Sequence, residues 1–404
     1  MKVADGKGSV KHRPAGTDSS ALPPPENKLY YPALDGLRAV AVLMVFTTHY
    51  LRLPQFLNWG RMGVDIFFVL SGFLITGILY DSANRKDRYS VFYKRRVLRI
   101  FPLYYLVLLL PVLMEPIFRW RLHPALWLWP AYAGNYAPFL WPSDVHGTDT
   151  AFEVLRSTRL AFHSFSWNLD HLWSLCVEEQ FYLVWPLVVY SLRERKRLRN
   201  LCIAAVIVVL LLRWLCVATL APQWIRLGLL NFATPLRADS LLLGGAIALA
   251  LRGPEARYIG ALARPLAFVL AGVFIAWEAI SYRRFGHLID PVWSSFNNPA
   301  FATFAALLAA VLIAMSIDPM RTLYRWLNIG GLRAIGQRSY GFYVYHLALI
   351  AVYAAIARAI SFGHKGVAGA LLAPVAFVGT LIVSWVSFRY FEAPLLRLKA
   401  RFAP

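Results

Sequence analysis

An all-α, polytopic membrane bundle is the fold class this sequence predicts, and three observations carry that expectation. Hydrophobic residues make up 58% of the 404-residue chain and charged residues only 16%, with a mean hydropathy of +0.51, far outside the soluble average. Apolar stretches long enough to cross about 30 Å of hydrocarbon recur ten times, near 33–52, 63–80, 101–118, 172–192, 201–219, 229–251, 265–282, 299–317, 339–357 and 366–388. Lys and Arg then alternate between the connecting segments. The two tails and the loops 81–100, 193–200, 252–264 and 318–338 hold 28 of them, the opposite set of loops holds 11, and Arg38, Arg213 and Arg237 lie within spans. That asymmetry follows the positive-inside rule and predicts that both termini are cytoplasmic.

The same placement accounts for the net charge of +21. Arginines that flank spans instead of lining one soluble face point away from nucleic acid and toward the lipid bilayer as the partner. Cys176, Cys202 and Cys216 all lie in apolar spans without metal-ligand spacing, so neither a disulfide framework nor a metal site is expected. Cys176 reads as a small packing residue, with a thioester role as the alternative.

Residues 1–29 are polar and end in Pro23, Pro24 and Pro25, a composition expected to form a disordered cytoplasmic tail. No apolar run precedes a small-residue cleavage site there, so the first span is expected to direct insertion itself. Residues 30–398 are expected to form one membrane domain and 399–404 a short cytoplasmic tail, with no soluble domain appended. The segment 119–171 carries WLWP, Trp141-Pro142, His146, His163 and His171, which suits an interfacial or re-entrant element over the bundle. Oligomeric state has no signature in the chain.

Ionisable residues inside a membrane-length helix cost roughly 2.5 to 3.5 kcal/mol each even on the lenient insertion scale, so they mark function by default. Arg38 and His49 share the first span. Eleven steps of 100° return both to one helix face, about 16 Å apart along the axis. The fourth span runs the other way, which brings Glu178 and Glu179 toward the depth of His49, and Asp65 opens the second span on that same side. Histidine beside a carboxylate makes a general base, and it also makes a structural hydrogen bond between helices.

Lys94, Arg95, Arg96 and Arg99 precede the third span. They serve either as topology determinants or as a phosphate clamp, since Arg96 and Arg99 share a face if this stretch is helical. Arg237 and Asp239, two apart, must each find a partner on another span. His346 sits about two turns into the ninth span and reads first as packing between helices. Ser71-Gly72 and Gly244-Gly245 offer small surfaces for close helix approach, and Ser71 has no base beside it in the sequence.

Six segments in order, LDGLRAVAV with Arg38-x10-His49, GVDIFFVLSGFLIT, RRVLRIFP ending at Pro102, HLWSLCVEEQFYLVWP, RADSLLLGG and SYGFYVYH, resemble the membrane acyltransferase-3 family of largely bacterial O-acyltransferases. They span residues 34 to 346, nearly the whole membrane domain. The resemblance implies an acyltransferase moving a non-aminoacyl group, commonly acetyl, from cytoplasmic acyl-coenzyme A to a hydroxyl of a carbohydrate or glycolipid, in the bacterial inner membrane. It makes His49 the essential histidine, Arg38 the basic residue before it, Glu178 the motif glutamate, and Arg96 and Arg99 the donor-associated pair. Asp35, Asp65, Ser71, Trp173, Tyr182, Arg237 and His346 would support them. No permanently bound cofactor or metal is implied, and acyl-coenzyme A enters as a substrate. Some members carry a C-terminal extracellular hydrolase-like domain, for which this chain has no matching segment. Read without the resemblance, Arg38, His49 and Glu178 also suit a substrate or proton pathway of a transporter or flippase.

Overall fold

A computed structural model describes residues 30–51, 59–118, 124–140, 160–162, 165–167, 169–285 and 298–398. The expected tails, together with His146 and His163, lie outside the described residues. Fourteen helices organise the fold: α1 (Pro32–Tyr50), α2 (Arg61–Asp81), α3 (Arg88–Phe118), α4 (Trp173–Leu192), α5 (Arg195–Thr219), α6 (Ala238–Ala250), α7 (Ala256–Phe285), α8 (Phe301–Ile317), α9 (Thr322–Leu327), α10 (Gly330–Gln337), α11 (Ser339–Ala348), α12 (Ile350–Ile360), α13 (Lys365–Ser387) and α14 (Ala393–Leu398). Single turns join some of them. Among the described residues the sole sheet is a hairpin pairing Leu160–Phe162 with Phe165–Trp167.

Every expected span contains helix, but not every one is a continuous rod. Among the described residues five helical stretches are long and apolar enough to cross a membrane, those of α2, α3, α5, α7 and α13 with its extension. A sixth would be α11 and α12 together, bent by 68° at Leu349. The 229–251 stretch is broken because the short helix Leu229–Phe232 ends at Ala233, which is extended, and Pro235 opens a 3₁₀ turn over Thr234–Leu236, leaving α6 with 13 residues. Helices α1 and α4 fall outside the five because Asp35, Arg38, His49, Glu178 and Glu179 dilute their apolar character. The helix of α3 starts at Arg88 and carries Arg96 and Arg99 on the same rod as its apolar length.

Burial sorts the helices into centre and rim. Within its apolar window α2 is 72% buried and α7 only 11%, so α7 shows Phe268 and Ile275 outward, as a lipid-facing helix does. Helices α2 and α6 meet backbone to backbone, since a Cβ on Gly72 would collide with the Leu241 carbonyl and one on Gly244 with that of Val69. Small residues permit this close approach. Over the described part of 119–171, the 3₁₀ segment Pro124–Ala131 buries Trp129 fully and passes its carbonyl to the Tyr104 hydroxyl at 2.7 Å.

Two buried ion pairs fix this centre. Arg213 of α5 donates to Asp239 of α6 at 2.5 Å, to the Leu236 carbonyl at 2.7 Å and to Thr303 of α8 at 2.8 Å, with both charged side chains fully buried. Arg237, just before α6, donates to Asp65 of α2 at 2.6 Å. Arg237 and Asp239 therefore each find the partner on another element that their spacing requires. At the end of the bundle Glu255 bridges Arg195, at 2.7 Å, and Arg199. The hydrogen bond from Arg195 holds the Glu255 carboxyl down at about 2.

Asp239→Ala leaves the Arg213 guanidinium without its carboxylate, and losing one partner of a buried pair costs about 3–5 kcal/mol. Thermal unfolding of the purified protein in detergent should show that loss, and the double variant Arg213→Met with Asp239→Leu should recover most of it. A single variant as stable as wild type would remove the pair's structural role.

Candidate active site

Helix α1 presents its polar residues at two ends, as its spacing predicts. At the first end Asp35, 4% exposed, receives Arg38 at 2.6 Å and the Tyr30 hydroxyl at 2.6 Å. Arg96 and Arg99 of α3 lie close by, and the charges of Arg38 and Arg96 both act on Arg99. Three guanidinium groups thus gather at one end of the bundle. Glu392, after α13, is the acidic group that reaches Arg99 from the other side.

Glu178 lies between the two ends. Its Oε1 accepts from Ser71 at 3.0 Å and its Oε2 from Tyr182 at 3.0 Å. Arg96 stacks over the Tyr182 ring at 4.2 Å, a cation–π contact, and both Arg96 and Arg38 lie within electrostatic reach of Glu178. Ser71 therefore has the carboxylate beside it that sequence spacing alone could not supply. Trp173, one turn before Glu178, serves packing, with its ring edge-on to Phe68 and Phe232.

At the far end the partner of His49 is another histidine. His49 Nδ1 lies 2.9 Å from the Val45 carbonyl and 3.3 Å from His346 Nε2. His346 Nδ1 in turn lies 2.5 Å from the Tyr343 carbonyl. A carbonyl can only accept, so both Nδ1 atoms carry hydrogen in the neutral rings. His346 Nε2 is then the acceptor, and the basic lone pair of His49 is on Nε2. The ring of His171 packs edge-on to that of His346 at 4.9 Å, and its Nε2 meets the Val344 carbonyl at 3.0 Å. Tyr50 closes the arrangement by donating to the His346 carbonyl.

Two expected neighbours of His49 go elsewhere. Glu178 bonds Ser71 and Tyr182, and it is His346 that fixes the His49 imidazole. Asp65, expected beside them, is committed to Arg237 and Ser240. Sequence reasoning missed three groups here: His171, Tyr343 and Arg61, whose charge reaches His49. Tyr343 could have been found, since it lies one turn before His346 on the same face; its hydroxyl donates to the His171 carbonyl at 2.6 Å. Nothing in the chain announces that α11 brings His346 and Tyr343 to His171. Cys176 is fully buried with the Tyr104 hydroxyl 3.9 Å from its sulfur, the environment of a packing residue. Among the described residues no set of three His, Cys, Asp or Glu side chains could hold a metal ion.

A multi-pass helical membrane protein with a polar site threaded through its core is the class that fold and geometry define. The chain belongs to the acyltransferase-3 family, whose model, an acyltransferase domain, matches residues 31–389. It is similar to the peptidoglycan O-acetyltransferase OatA of Listeria monocytogenes, 29% identical over 385 residues that cover 91% of this chain and 56% of that protein. It is also similar to the O-acetyltransferase OatA of Staphylococcus aureus, 28% identical over 372 residues covering 91% of this chain and 57% of the relative. The chain thus matches little more than half the length of these curated relatives. No solved structure matches it.

If His346 holds the His49 ring in place, the Val45 carbonyl already fixing its tautomer, His346→Ala should lower the turnover of acyl transfer about 100-fold, the order expected for misplacing a reacting group, and leave the donor KM unchanged. His346→Gln keeps a carbonyl acceptor for His49 Nδ1–H and should restore part of the loss. Equal turnover in the alanine variant would remove the positioning role.

Proposed function

We propose that this chain is a membrane O-acetyltransferase that moves an acetyl group from cytoplasmic acetyl-coenzyme A to a carbohydrate hydroxyl, with peptidoglycan as the acceptor that the relatives' names suggest. In this reading the chain crosses a bacterial inner membrane ten times with both termini cytoplasmic, α4 and the broken segments at α6 and α11–α12 included. The charge asymmetry of the loops supports it. The arginine end of α1 then faces the cytoplasm and the histidine end the opposite side.

Arg96 and Arg99 bind the phosphates of the donor, because planar guanidinium forks match phosphate oxygens. Arg38, oriented by Asp35, extends this positive surface upward, and the pantetheine arm follows the track past Glu178. His49 Nε2 takes the proton of the acceptor hydroxyl as its oxygen attacks the thioester carbonyl. The carbon–sulfur bond breaks, and the coenzyme A thiolate leaves with the proton returned by the imidazolium. Glu178 keeps the middle of the track polar through Ser71 and Tyr182. The single observation that carries this reading is the hydrogen-bonded His346–His49 pair, which turns a basic nitrogen to one end of a polar track whose other end holds three arginines.

The test supplies purified, reconstituted protein with radiolabelled acetyl-coenzyme A and a peptidoglycan-precursor membrane extract. His49→Ala should reduce label transfer by about 10²- to 10⁴-fold, the usual contribution of a general base; equal transfer sinks the histidine as base. Arg96→Ala with Arg99→Ala should raise the apparent donor KM, by about tenfold or more if each lost phosphate contact is worth a charge-assisted hydrogen bond. An unchanged KM would take the donor clamp away from this pair.

A further inference from the structure

At the end of the bundle where α13 passes into α14, a cleft of about 350 Å³ opens among Arg338, Trp385, Phe388, Arg389, Tyr390 and Arg397. The mechanism above uses none of these residues. The chain there leaves the α-helix for one π-helical turn, Phe388–Glu392, a distortion that recurs at functional sites because it re-aims side chains. Here it sets the Arg389 side chain beside those of Arg338 and Arg397 and turns Glu392 inward, where its Oε1 accepts from Ser387 at 3.1 Å and it faces Arg99.

The cleft therefore holds three cations, none with a carboxylate partner in any ion pair among the described residues. Arg338 is held by the Ala334 carbonyl at 2.7 Å and by the Phe388 ring at 5.3 Å, and its Nε is buried with no hydrogen-bond partner. A buried donor left unpaired costs free energy until a ligand or water supplies an acceptor. Trp385 and Tyr390 are exposed at 46% and 67%, and exposed Trp and Tyr at the end of a long apolar helix mark the membrane–water boundary.

We propose that this cleft binds a phosphate group at the membrane surface, the headgroup of an acidic phospholipid being the source its interfacial position favours. Guanidinium groups converging without counter-charge match a phosphodiester, and basic pockets at the ends of membrane helices take such headgroups. The volume lies at the lower end of ligand pockets, about 300 to 1,000 Å³, enough for a headgroup and too small for a sugar polymer. A bound headgroup would also brace the π-turn that carries Glu392 to Arg99.

The experiment uses the full chain in detergent and phosphatidylglycerol as the probe, with phosphatidylcholine as control, counting bound lipids by native mass spectrometry. Wild type should retain phosphatidylglycerol in preference to phosphatidylcholine. Replacing all three arginines (Arg338→Gln, Arg389→Gln, Arg397→Gln) should lower that affinity about 100-fold, as each arginine near an acidic headgroup contributes roughly fivefold. The exposed single variant Arg389→Gln keeps the test open should the triple variant fail to fold. A second arm adds adenosine 3′,5′-bisphosphate; arginine-dependent displacement of the lipid would assign the phosphate site to a soluble nucleotide instead. Binding of both probes that is indifferent to the arginines overturns the proposal.

Discussion

A charge placed among apolar helices must be met by another charge or by a full set of hydrogen bonds, and the positions of α2 and α6 follow from that constraint. Asp239 and Arg237 flank the start of α6 and reach in different directions, to Arg213 of α5 and to Asp65 of α2. Each pair is a directional tie that only one arrangement of the helices satisfies. Apolar side chains of similar volume would pack nearly as well or better, so the pairs act more on which arrangement forms than on how stable it is. Gly72 and Gly244 let the two backbones close to the distance at which Arg237 reaches Asp65. With α2 held there, Ser71 faces Glu178 and Arg61 faces the histidine end.

The buried polar groups divide accordingly. Arg213 and Asp239 are tied to each other, and Arg237 is tied to Asp65 with its Nε buried and unpartnered. His49 and His346 hydrogen-bond each other, and Ser71 and Tyr182 both donate to Glu178, contacts made among neutral or singly charged groups instead of between paired opposite charges. That difference in partner chemistry, more than depth or motif membership, separates the scaffold from the candidate site. Arg237 and Asp65 belong with the scaffold although they occupy motifs resembling those of the family.

Helix content and the two-ended face of α1 were legible because they depend on local pattern: apolar run length, and an eleven-residue spacing that returns to one face. Where the chain leaves that pattern, the reading failed for local reasons too. Pro235 and the extended Ala233 before it broke a run that hydropathy alone joined, and the bend at Leu349 has no proline or glycine between residues 342 and 362 to announce it. Cross-helix pairing was legible only in part. Sequence shows that Arg237 and Asp239 need separate partners, yet a helical wheel fixes depth and direction without fixing which neighbour stands at that azimuth. For that reason Glu178, expected at the depth of His49, bonds Ser71 and Tyr182 between the two ends of α1, while a histidine 297 residues along the chain took its expected place beside His49.

The histidine pair has a property that a histidine–carboxylate pair lacks. A carboxylate beside an imidazole brings a full negative charge into an apolar region, and its burial must be offset whenever the imidazole is neutral. His346 brings a neutral acceptor whose own proton is pinned by the Tyr343 carbonyl, so the resting site carries no net charge from this pair. When His49 gains a proton, the lone pair of His346 Nε2 lies 3.3 Å from its Nδ1–H and can stabilise it through a hydrogen bond alone. That gives less stabilisation of the imidazolium than a carboxylate would. In the proposed reaction, a base held by a neutral acceptor suits an imidazole that would first take a proton from the acceptor hydroxyl and then give it to the departing thiolate.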